Sequence, residues 1–251
     1  MLSARGIAVA FGGVKALDVV DVEVGPGSIV GMVGPNGAGK STLFNCLTGV
    51  VSPDAGTVEL DGKDITRWPT ERRARVGIGR TFQTARADPN STVCDAIMTG
   101  FTVSTRQCML GAFLSSPGVR AEEKQFKARA LALVDTFDLG NPDALVGELP
   151  APHRRLLEVA RTLAGDAKYL LLDEPAAGMD SLDRQILSKV LRQVADRGIG
   201  IVLVEHNFGF VLSLCDEVTV LASGKVVAQG TPEHIREHPE IVRVYLGQGT
   251  P

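Results

Sequence analysis

The sequence lacks a charge excess, a long apolar run and a leader pattern, and each absence excludes a class of protein. The net charge is -3 over 251 residues, which provides no general basic field for nucleic acid. No apolar run approaches the roughly 20 residues that a membrane-spanning helix needs. Arg5 and Gly6 interrupt the short apolar stretch near the N-terminus, so we expect no signal peptide. The 44% hydrophobic content is typical of a globular protein, here one large α/β domain or a core with a subdomain.

Cysteine is scarce and scattered, and no internal repeat or low-complexity segment is evident. The four cysteines are Cys46, Cys94, Cys108 and Cys215. This spacing does not suit a zinc site, so we expect ordinary thiols in a reducing compartment.

Residues 34–42 read Gly-Pro-Asn-Gly-Ala-Gly-Lys-Ser-Thr and fit the phosphate-binding pattern G-x-x-x-x-G-K-[ST]. Its glycines let successive backbone N–H groups point into one concavity that binds phosphate oxygens. Lys40 then supplies charge to the β- and γ-phosphates, and Ser41 offers a hydroxyl to Mg²⁺. An apolar run at 28–33 predicts a buried strand before the loop, and a helix that Gly49 ends follows it. Thr42 is predicted to begin that helix, with its positive end facing the phosphates.

A second motif ends in two acids, Asp173 and Glu174, after the apolar run at 169–172. A buried strand would deliver both carboxylates to its C-terminal end, where open α/β sheets bind ligands. Asp173 would then help to hold Mg²⁺, and Glu174 would orient and deprotonate an attacking water. A strand with an acidic cap is the alternative interpretation, but the phosphate loop argues against it.

Together these motifs resemble the ATP-binding subunit of an ABC transporter, and the resemblance covers almost the whole chain. It implies that Phe11 stacks on adenine, although a lone Phe is more commonly a core residue. It also implies that Gln83 lies in the glutamine loop near Mg²⁺, water and the membrane subunit. Asp180 would belong to the D-loop, and His206 would be the switch histidine that contacts the γ-phosphate. The predicted nucleotide-binding residues are Phe11, Asn36, Gly37, Ala38, Gly39, Lys40, Ser41 and Thr42.

Three further stretches, at 11–17, 77–83 and 230–235, together with 244–247, resemble the ATPases of branched-chain amino-acid importers. Related systems carry urea or short amides, so the cargo is less certain than the family. The resemblance implies ATP and Mg²⁺ as ligands and a second ATPase subunit, either a paralogue or a second copy of this chain. It further implies two membrane-spanning permease subunits, an indirectly attached substrate-binding receptor, and a peripheral position on the cytoplasmic face of the inner membrane.

The chain departs from the family at the signature loop, where Leu-Ser-Gly-Gly-Gln or Leu-Ser-Tyr-Gly-Gln is expected. Here the loop consists of Leu149, Pro150, Ala151, Pro152 and His153. In the family the Ser hydroxyl and a Gly N–H donate to the γ-phosphate held by the partner subunit. Pro150 has no hydroxyl and Pro152 no backbone N–H, and each lost donor to phosphate costs about 1.5–3 kcal/mol. His153 would replace one contact if protonated.

The resemblance therefore predicts an asymmetric dimer. The chain's own phosphate loop and catalytic residues look complete, whereas the signature that would serve the partner's nucleotide looks degraded. A heterodimer would have one competent site, and a homodimer would carry the defect twice. The alternative is that the prolines are tolerated, because lost donors often reduce catalysis without abolishing it.

The pattern along the chain predicts an α/β P-loop core of the ABC type, with an N-terminal antiparallel β portion and an inserted helical subdomain. The core would comprise 1–89 and 162–251, and the subdomain 90–161, with helices over 120–137 and, in the core, 182–195. A closing hairpin is expected around Ala222-Ser223-Gly224.

We expect an ATPase that powers a membrane importer. One alternative is a regulatory module that holds ATP with little turnover, which the altered signature favours and intact Glu174 and His206 oppose. The other is a non-transport ABC ATPase that acts on DNA or ribosomes. The absence of a basic stripe, a long coiled coil and a second cassette argues against that alternative and predicts no nucleic-acid partner.

Overall fold

The computed structural model describes residues 1–81, 87–103 and 117–241. The strands are β1 (Leu2–Phe11), β2 (Val14–Val24), β3 (Ile29–Val33), β4 (Ala55–Leu60), β5 (Lys63–Asp64), β6 (Ile78–Arg80), β7 (Tyr169–Asp173), β8 (Gly200–Val204), β9 (Glu217–Ala222) and β10 (Lys225–Gly230). The helices are α1 (Lys40–Thr48), α2 (Thr70–Arg75), α3 (Val93–Met98), α4 (Pro117–Thr136), α5 (Ala151–Ala164), α6 (Ser181–Asp196), α7 (Phe208–Leu214), α8 (Pro232–Glu237) and α9 (Pro239–Ile241). Two 3₁₀ segments cover Thr99–Val103 and Val146–Glu148.

The chain divides into two compact units. Unit 1 comprises Met1–Arg73 and Leu171–Pro251, and unit 2 comprises Ala74–Leu170. The helical subdomain predicted over 90–161 lies inside the sequence range of unit 2, which also contains β6.

Unit 1 contains an antiparallel sheet in the order β2-β1-β4-β5. Strand β1 pairs antiparallel with both β2 and β4. Asp61 and Gly62 connect β4 to β5 with φ values of 51° and 77°, the two positive values that a tight hairpin turn requires. The predicted N-terminal antiparallel β portion is confirmed.

The second sheet of unit 1 runs in the order β10-β9-β3-β8-β7. Strand β3 is parallel to both β8 and β9, and every residue of β3, β7 and β8 is buried. Burial on both faces explains why these strands read as continuous apolar runs in the sequence. Because β3 and β8 are parallel, the segments that follow them lie at the same end of the sheet.

Strands β9 and β10 form the predicted closing hairpin. Ser223 and Gly224 make its turn with φ values of 48° and 77°. Between the two antiparallel strands this pair again supplies the two positive values that a two-residue turn needs.

Unit 2 is mainly helical. In it, α3 packs against α4 and α5, and the rings of Phe101 and Phe126 stack with centroids 4.7 Å apart. Helix α5 approaches the 3₁₀ segment so closely that a Cβ on Gly100 would lie 2.0 Å from the Arg161 carbonyl oxygen. The N-terminal part of β7 lies beside β6, where the carbonyl of Gly77 accepts the N–H of Tyr169 at 2.9 Å. The mixed α/β fold class is confirmed.

Within the described ranges, no helix is both long enough and apolar enough to cross a bilayer.

Candidate functional site

The phosphate loop leaves the C-terminal end of β3, and two of its glycines adopt conformations that other residues avoid. Gly34 has φ 158°, and a Cβ there would lie 2.2 Å from the Leu221 carbonyl oxygen. Gly39 has φ 104°, and a Cβ there would lie 2.6 Å from the Ala16 carbonyl oxygen. These two positions therefore require glycine, which explains the residue types in the motif.

Helix α1 begins at Lys40 with Gly39 as its N-cap. The prediction that Thr42 begins this helix is wrong by two residues, because the left-handed Gly39 allows the chain to become helical at once. In the described part of the chain, the N–H groups of Gly37 and Gly39 have no hydrogen-bond acceptor. The first N–H groups of a helix also lack intrahelical partners, so unpaired donors accumulate at this end of α1. Such an array suits phosphate oxygens.

The remaining predicted loop residues differ in their exposure. Ala38 is buried and its N–H donates to the Pro35 carbonyl at 3.2 Å, which closes the loop on itself. Asn36 and Ser41 are exposed, and Thr42 is half-buried in the first turn of α1.

Lys40 is only 5% exposed, and its ammonium group is folded onto the loop. Its Nζ donates to the carbonyls of Gly34 at 2.7 Å and Pro35 at 3.0 Å. Burial lowers the pKa of Lys40, and the charges of Glu174 and Asp173 oppose that shift. The cation therefore lies within the electrostatic influence of both acids of the second motif.

Asp173 and Glu174 lie at the C-terminal end of β7, as the sequence predicts. Asp173 ends the strand and is buried. Glu174 follows it, and its Oε1 shares a 2.7 Å hydrogen bond with Nε2 of His206, which comes shortly after β8. The structure thus brings together two predicted site residues that are 32 positions apart.

The backbone of Glu174 is in the left-handed region, with φ 49°. A residue with a side chain occupies this region at a cost of about 1–3 kcal/mol, and such strain clusters at functional sites. The N–H of Glu174 donates to the Val204 carbonyl at 2.9 Å, which ties the end of β7 to the end of β8.

Phe11 is 54% exposed at the end of β1, opposite Val14. The alternative that Phe11 is a core residue is therefore wrong. Its adenine-stacking role remains a prediction that this exposure favours. Asp180 is the N-cap of α6, where its carboxylate accepts the Asp183 N–H at 2.9 Å, a local role that Ser, Thr, Asn and Asp commonly take.

The donor set for Mg²⁺ fits the way this ion binds together with a nucleotide. In the described residues, no cluster of three His, Cys, Asp or Glu could hold a metal by itself. Mg²⁺ at phosphate sites commonly uses one or two carboxylates plus phosphate oxygens and water. The exposed Ser41 hydroxyl on α1 and the carboxylate of Asp173 after β7 supply such a set. Gln83, the remaining predicted metal contact, lies outside the described residues, as does the 244–247 stretch.

The predicted signature segment is the start of α5 in unit 2. Leu149 is the extended C-cap of the preceding 3₁₀ segment, Pro150 is the N-cap of α5, and Ala151, Pro152 and His153 form the first helical turn. Proline fits here because the first-turn N–H groups have no intrahelical partner to lose. The same first turn consequently offers fewer donors than an ordinary helix start. The His153 Nδ1 atom is enclosed and has no hydrogen-bond partner in the described parts of the chain.

Sequence reasoning missed two buried charged residues in unit 1. Arg73 is 1% exposed, and its guanidinium donates to the carbonyls of Cys46 at 2.6 Å and Leu47 at 2.8 Å, at the C-terminal end of α1. It also donates to Thr66 at 2.9 Å and Trp68 at 3.1 Å. A cation at this helix end bonds carbonyls of the last turn, one of which also accepts the C-cap N–H, and complements the helix dipole.

The second residue is Glu205, between β8 and His206. The sequence places it in an apolar run beside a histidine but gives no signal for its partner, because that partner is a backbone group 29 positions away.

Similarity to known proteins identifies the family of this chain. The profile described as "ABC transporter" matches residues 17–177, and the chain belongs to that family. Membership implies ATP binding and hydrolysis, and the chain is an ABC ATPase subunit.

Within the family, the chain is similar to ATP-binding proteins of bacterial transporters. It is 33% identical to the high-affinity branched-chain amino acid transport ATP-binding protein BraF of Pseudomonas aeruginosa, over 99% of this chain and 98% of that one. It is also 33% identical to the lipopolysaccharide export system ATP-binding protein LptB of Haemophilus influenzae, over 99% and 98% of the two chains. The crystal structure of the ADP conformation of an ABC transporter cassette is 28% identical, covers 99% of both chains and has a TM-score of 0.85.

Proposed function

We propose that this chain binds Mg-ATP at residues 34–42 and hydrolyses it with Glu174 as general base, to drive a membrane importer. One observation carries the proposal. The 2.7 Å bond between Glu174 and His206 lies at the sheet end where the phosphate loop begins, and the charge of Glu174 affects Lys40. A phosphate-binding cation, a carboxylate and a histidine thus converge in unit 1.

The chemistry follows from these groups. The unpaired N–H groups of Gly37 and Gly39 and the first turn of α1 bind phosphate oxygens, and Lys40 exchanges its loop carbonyls for the β- and γ-phosphates. Glu174 accepts a proton from the attacking water, while His206 orients its carboxylate through Nε2 and contacts the γ-phosphate. Phe11 stacks on adenine, and Gln83 couples the site to the membrane subunit.

Ser41 and Asp173 would hold Mg²⁺, with Gln83 proposed as a further contact from the family resemblance, and the ion would neutralise charge that develops on the phosphates. The residues of this chain supply the positioning and the proton acceptor.

The active assembly in this proposal is a pair of ATPase subunits beneath two permeases, with a receptor attached indirectly. This chain contributes a complete phosphate loop, whereas its own signature segment, 149–153, presents two prolines to the partner's nucleotide. A heterodimer with a related subunit that carries an intact signature would have one fully competent site.

The proposal also covers the transported solute and the cellular location of the subunit. The similarity to BraF favours branched-chain or other hydrophobic amino acids, and import places the subunit on the cytoplasmic face of the inner membrane. The similarity to LptB is equally high by identity, so lipopolysaccharide-type export is the competing cargo class.

A second candidate function is a regulatory module that holds ATP with little turnover. Pro150 at the N-cap and Pro152 in the first turn of α5 favour it, because they remove a hydroxyl and an N–H from the segment that would face γ-phosphate. Turnover in the assembled complex separates the two candidates.

The test is affinity purification of the full chain with its membrane partners, followed by reconstitution in vesicles. We expect a second ATPase subunit and two permeases to co-purify, and ATP-dependent uptake of leucine or valine to depend on Glu174. Uptake without hydrolysis by this chain would support the regulatory module. Movement of a lipidic cargo without amino-acid uptake would replace the importer.

A further inference from the structure

Glu205 is a buried carboxylate that the hydrolysis scheme does not use. It is 3% exposed, and its Oε1 accepts the N–H of Ala176 at 2.7 Å. Its Oε2 accepts the N–H of His206 at 3.3 Å. A buried carboxylate is costly unless it is hydrogen-bonded, and here both oxygens accept backbone N–H groups. The side chain therefore links the segment after β7 to the segment after β8.

The backbone of the segment after β7 is strained and therefore requires restraint by its surroundings. Glu174 occupies the left-handed region there, and its N–H is fixed by the Val204 carbonyl at 2.9 Å. Two residues later the N–H of Ala176 is fixed by Glu205. The turn is closed locally by the Ala177 N–H, which donates to the Glu174 carbonyl at 3.2 Å. Its tie to the segment after β8 is the Glu174 N–H on the upstream side and the bond from Ala176 to Glu205 on the downstream side. A residue in a sparsely populated conformation persists only where its surroundings over-determine it.

We propose that Glu205 is a positioning residue for ATP hydrolysis, which holds the turn at 174–176 so that Glu174 stays bonded to His206. The inference rests on the proposed function, because Glu205 acts through Glu174 and touches no reacting atom.

The protonation of Glu205 suggests a conservative variant. Burial raises the pKa of Glu205, the N–H groups of Ala176 and His206 lower it, and the charge of Glu174 raises it again. An amide keeps a carbonyl acceptor for Ala176 without the cost of a buried charge, and its NH2 group gives up only the longer 3.3 Å bond from the His206 N–H. Glu205→Gln should therefore retain the link that Glu205→Ala removes.

The first test is kinetic, on the full chain assembled with its partner ATPase. We expect Glu205→Ala to lower kcat at least about tenfold, the scale of one lost hydrogen bond to a charged group. The Kd for ATP should stay within about threefold, because within the described residues the hydrogen bonds of this side chain go to Ala176 and His206 and none goes to the phosphate loop. Glu205→Gln should keep kcat within about threefold.

A double variant tests whether the fall in kcat that Glu205→Ala causes depends on Glu174. Adding Glu205→Ala to Glu174→Gln should lower the residual rate no further, since residues that act as a unit are not additive. A further tenfold fall in the double variant would place the action of Glu205 elsewhere and overturn the proposal.

Asp216→Ala is the matched control for general loss of stability. Its Oδ2 accepts the N–H of Ile29 at 2.8 Å, at the end of β3 away from the phosphate loop. The variant loses the same kind of carboxylate-to-backbone bond in the same unit and, in addition, the ion pair of Asp216 with Arg192 at 2.9 Å, so it tests a loss of stability at least as broad. We expect its melting temperature to fall and its kcat to stay within about threefold. Equal losses of kcat in the Asp216 and Glu205 variants would mean a general effect on the fold.

Hydrogen exchange provides a readout that does not need turnover. The amides of Glu174, Ala176 and Ala177, which are hydrogen-bonded in the structure, should exchange at least about tenfold faster in Glu205→Ala than in wild type, and at the wild-type rate in Asp216→Ala. Unchanged exchange would overturn the inference even if the chain hydrolyses ATP. A wild-type assembly that does not hydrolyse ATP would overturn the proposed function as well.

Discussion

Two helices of this chain begin in opposite ways. Helix α1 in unit 1 follows Gly39, whose φ of 104° lets the chain enter the helix with its N–H groups open. Helix α5 in unit 2 follows Pro150 and carries Pro152 in its first turn. Both starts are stable as helices, because neither requires the first N–H groups to be bonded within the helix. They differ in what they can offer a phosphate.

No residue in the first turn of α1 lacks a backbone N–H, and Lys40 is the first residue of that helix. At α5, by contrast, Pro150 and Pro152 each lack a backbone N–H. Helix propensity would score both as acceptable, so it does not reveal this difference. A family motif can therefore be lost at one helix while the helix itself is preserved. We expect variants in unit 1 to impair ATP binding and hydrolysis, and restoration of the signature at α5 in unit 2 to increase turnover.

The largest effect is expected for Glu174→Gln. The amide cannot accept a proton, so turnover with the partner subunit should fall at least about a hundredfold while ATP binding is retained. Steady-state hydrolysis and ATP affinity are the two measurements, with Glu59→Gln on the antiparallel sheet as a control of similar chemistry. Turnover close to wild type would remove Glu174 from the general-base role.

Lys40→Ala should weaken the binding of ATP by about ten- to a hundredfold, because it removes a cation from the phosphates. Coupled uptake in vesicles should be abolished. Lys63→Ala, which removes an exposed cation in the same unit, should change neither quantity. Unaltered ATP affinity together with normal uptake would contradict the assignment.

Restoring the signature tests the other helix. The isolated chain should bind Mg-ATP and hydrolyse it slowly, and Pro150→Ser with Pro152→Gly should raise turnover more than about tenfold, at about 1.5 kcal/mol for each regained donor. Pro150→Ala with Pro152→Ala returns N–H groups without the hydroxyl and should give a smaller gain. Rates must be measured against protein concentration, to separate dimer formation from chemistry. A brisk, concentration-dependent rate in the unaltered chain, with no gain on restoration, would show that the proline segment is functional.

The smallest functional effect is expected at the thiols. Burial raises the pKa of Cys46 to about 11 and that of Cys215 to about 12 in unit 1. Burial also raises the pKa of Cys94 in unit 2. In a Cys108→Ser chain, alkylation at pH 8 should be at least about a hundredfold slower for Cys46 and Cys215 in the folded than in the denatured protein. Cys108 itself lies outside the described residues.

The raised pKa values of the buried thiols also determine how the free energy of unfolding changes at alkaline pH. Between about pH 9 and 11 the unfolded thiols ionise while the folded thiols do not, so the stability they contribute is lost as the pH rises. A free energy of unfolding that increased over this range would contradict these pKa directions.

Much of the fold and part of the site could be predicted from local sequence. Strands β3, β7 and β8 are buried on both faces and therefore read as plain apolar runs. The phosphate loop is predictable because its glycines are required by backbone geometry at the loop itself. The motif predicts a helix start at Thr42, two residues late, because the true start at Lys40 depends on the φ of Gly39, which a motif does not specify.

Arg73 and Glu205 could not be predicted for a different reason. Each is a charged residue that bonds at least one backbone group far away in sequence, Cys46 for Arg73 and Ala176 for Glu205, so neither periodicity nor a motif marks it. Burial of Phe11 was the more common expectation for its residue type, and the structure leaves it half exposed. The roles of such residues can be recognised only when the tertiary contacts of the chain are known.

The residues around Arg73 include the single tryptophan of the sequence, whose fluorescence can be measured without a label. The sequence has one tryptophan, and the carbonyl of this Trp68 accepts a hydrogen bond from the same guanidinium that holds the end of α1. Its indole ring lies under the Arg72 guanidinium at 3.8 Å and near the Lys63 ammonium at 5.0 Å. Indole emission is sensitive to nearby charge, so the unlabelled chain carries a fluorophore beside the C-terminal end of α1, the helix that follows the phosphate-loop motif.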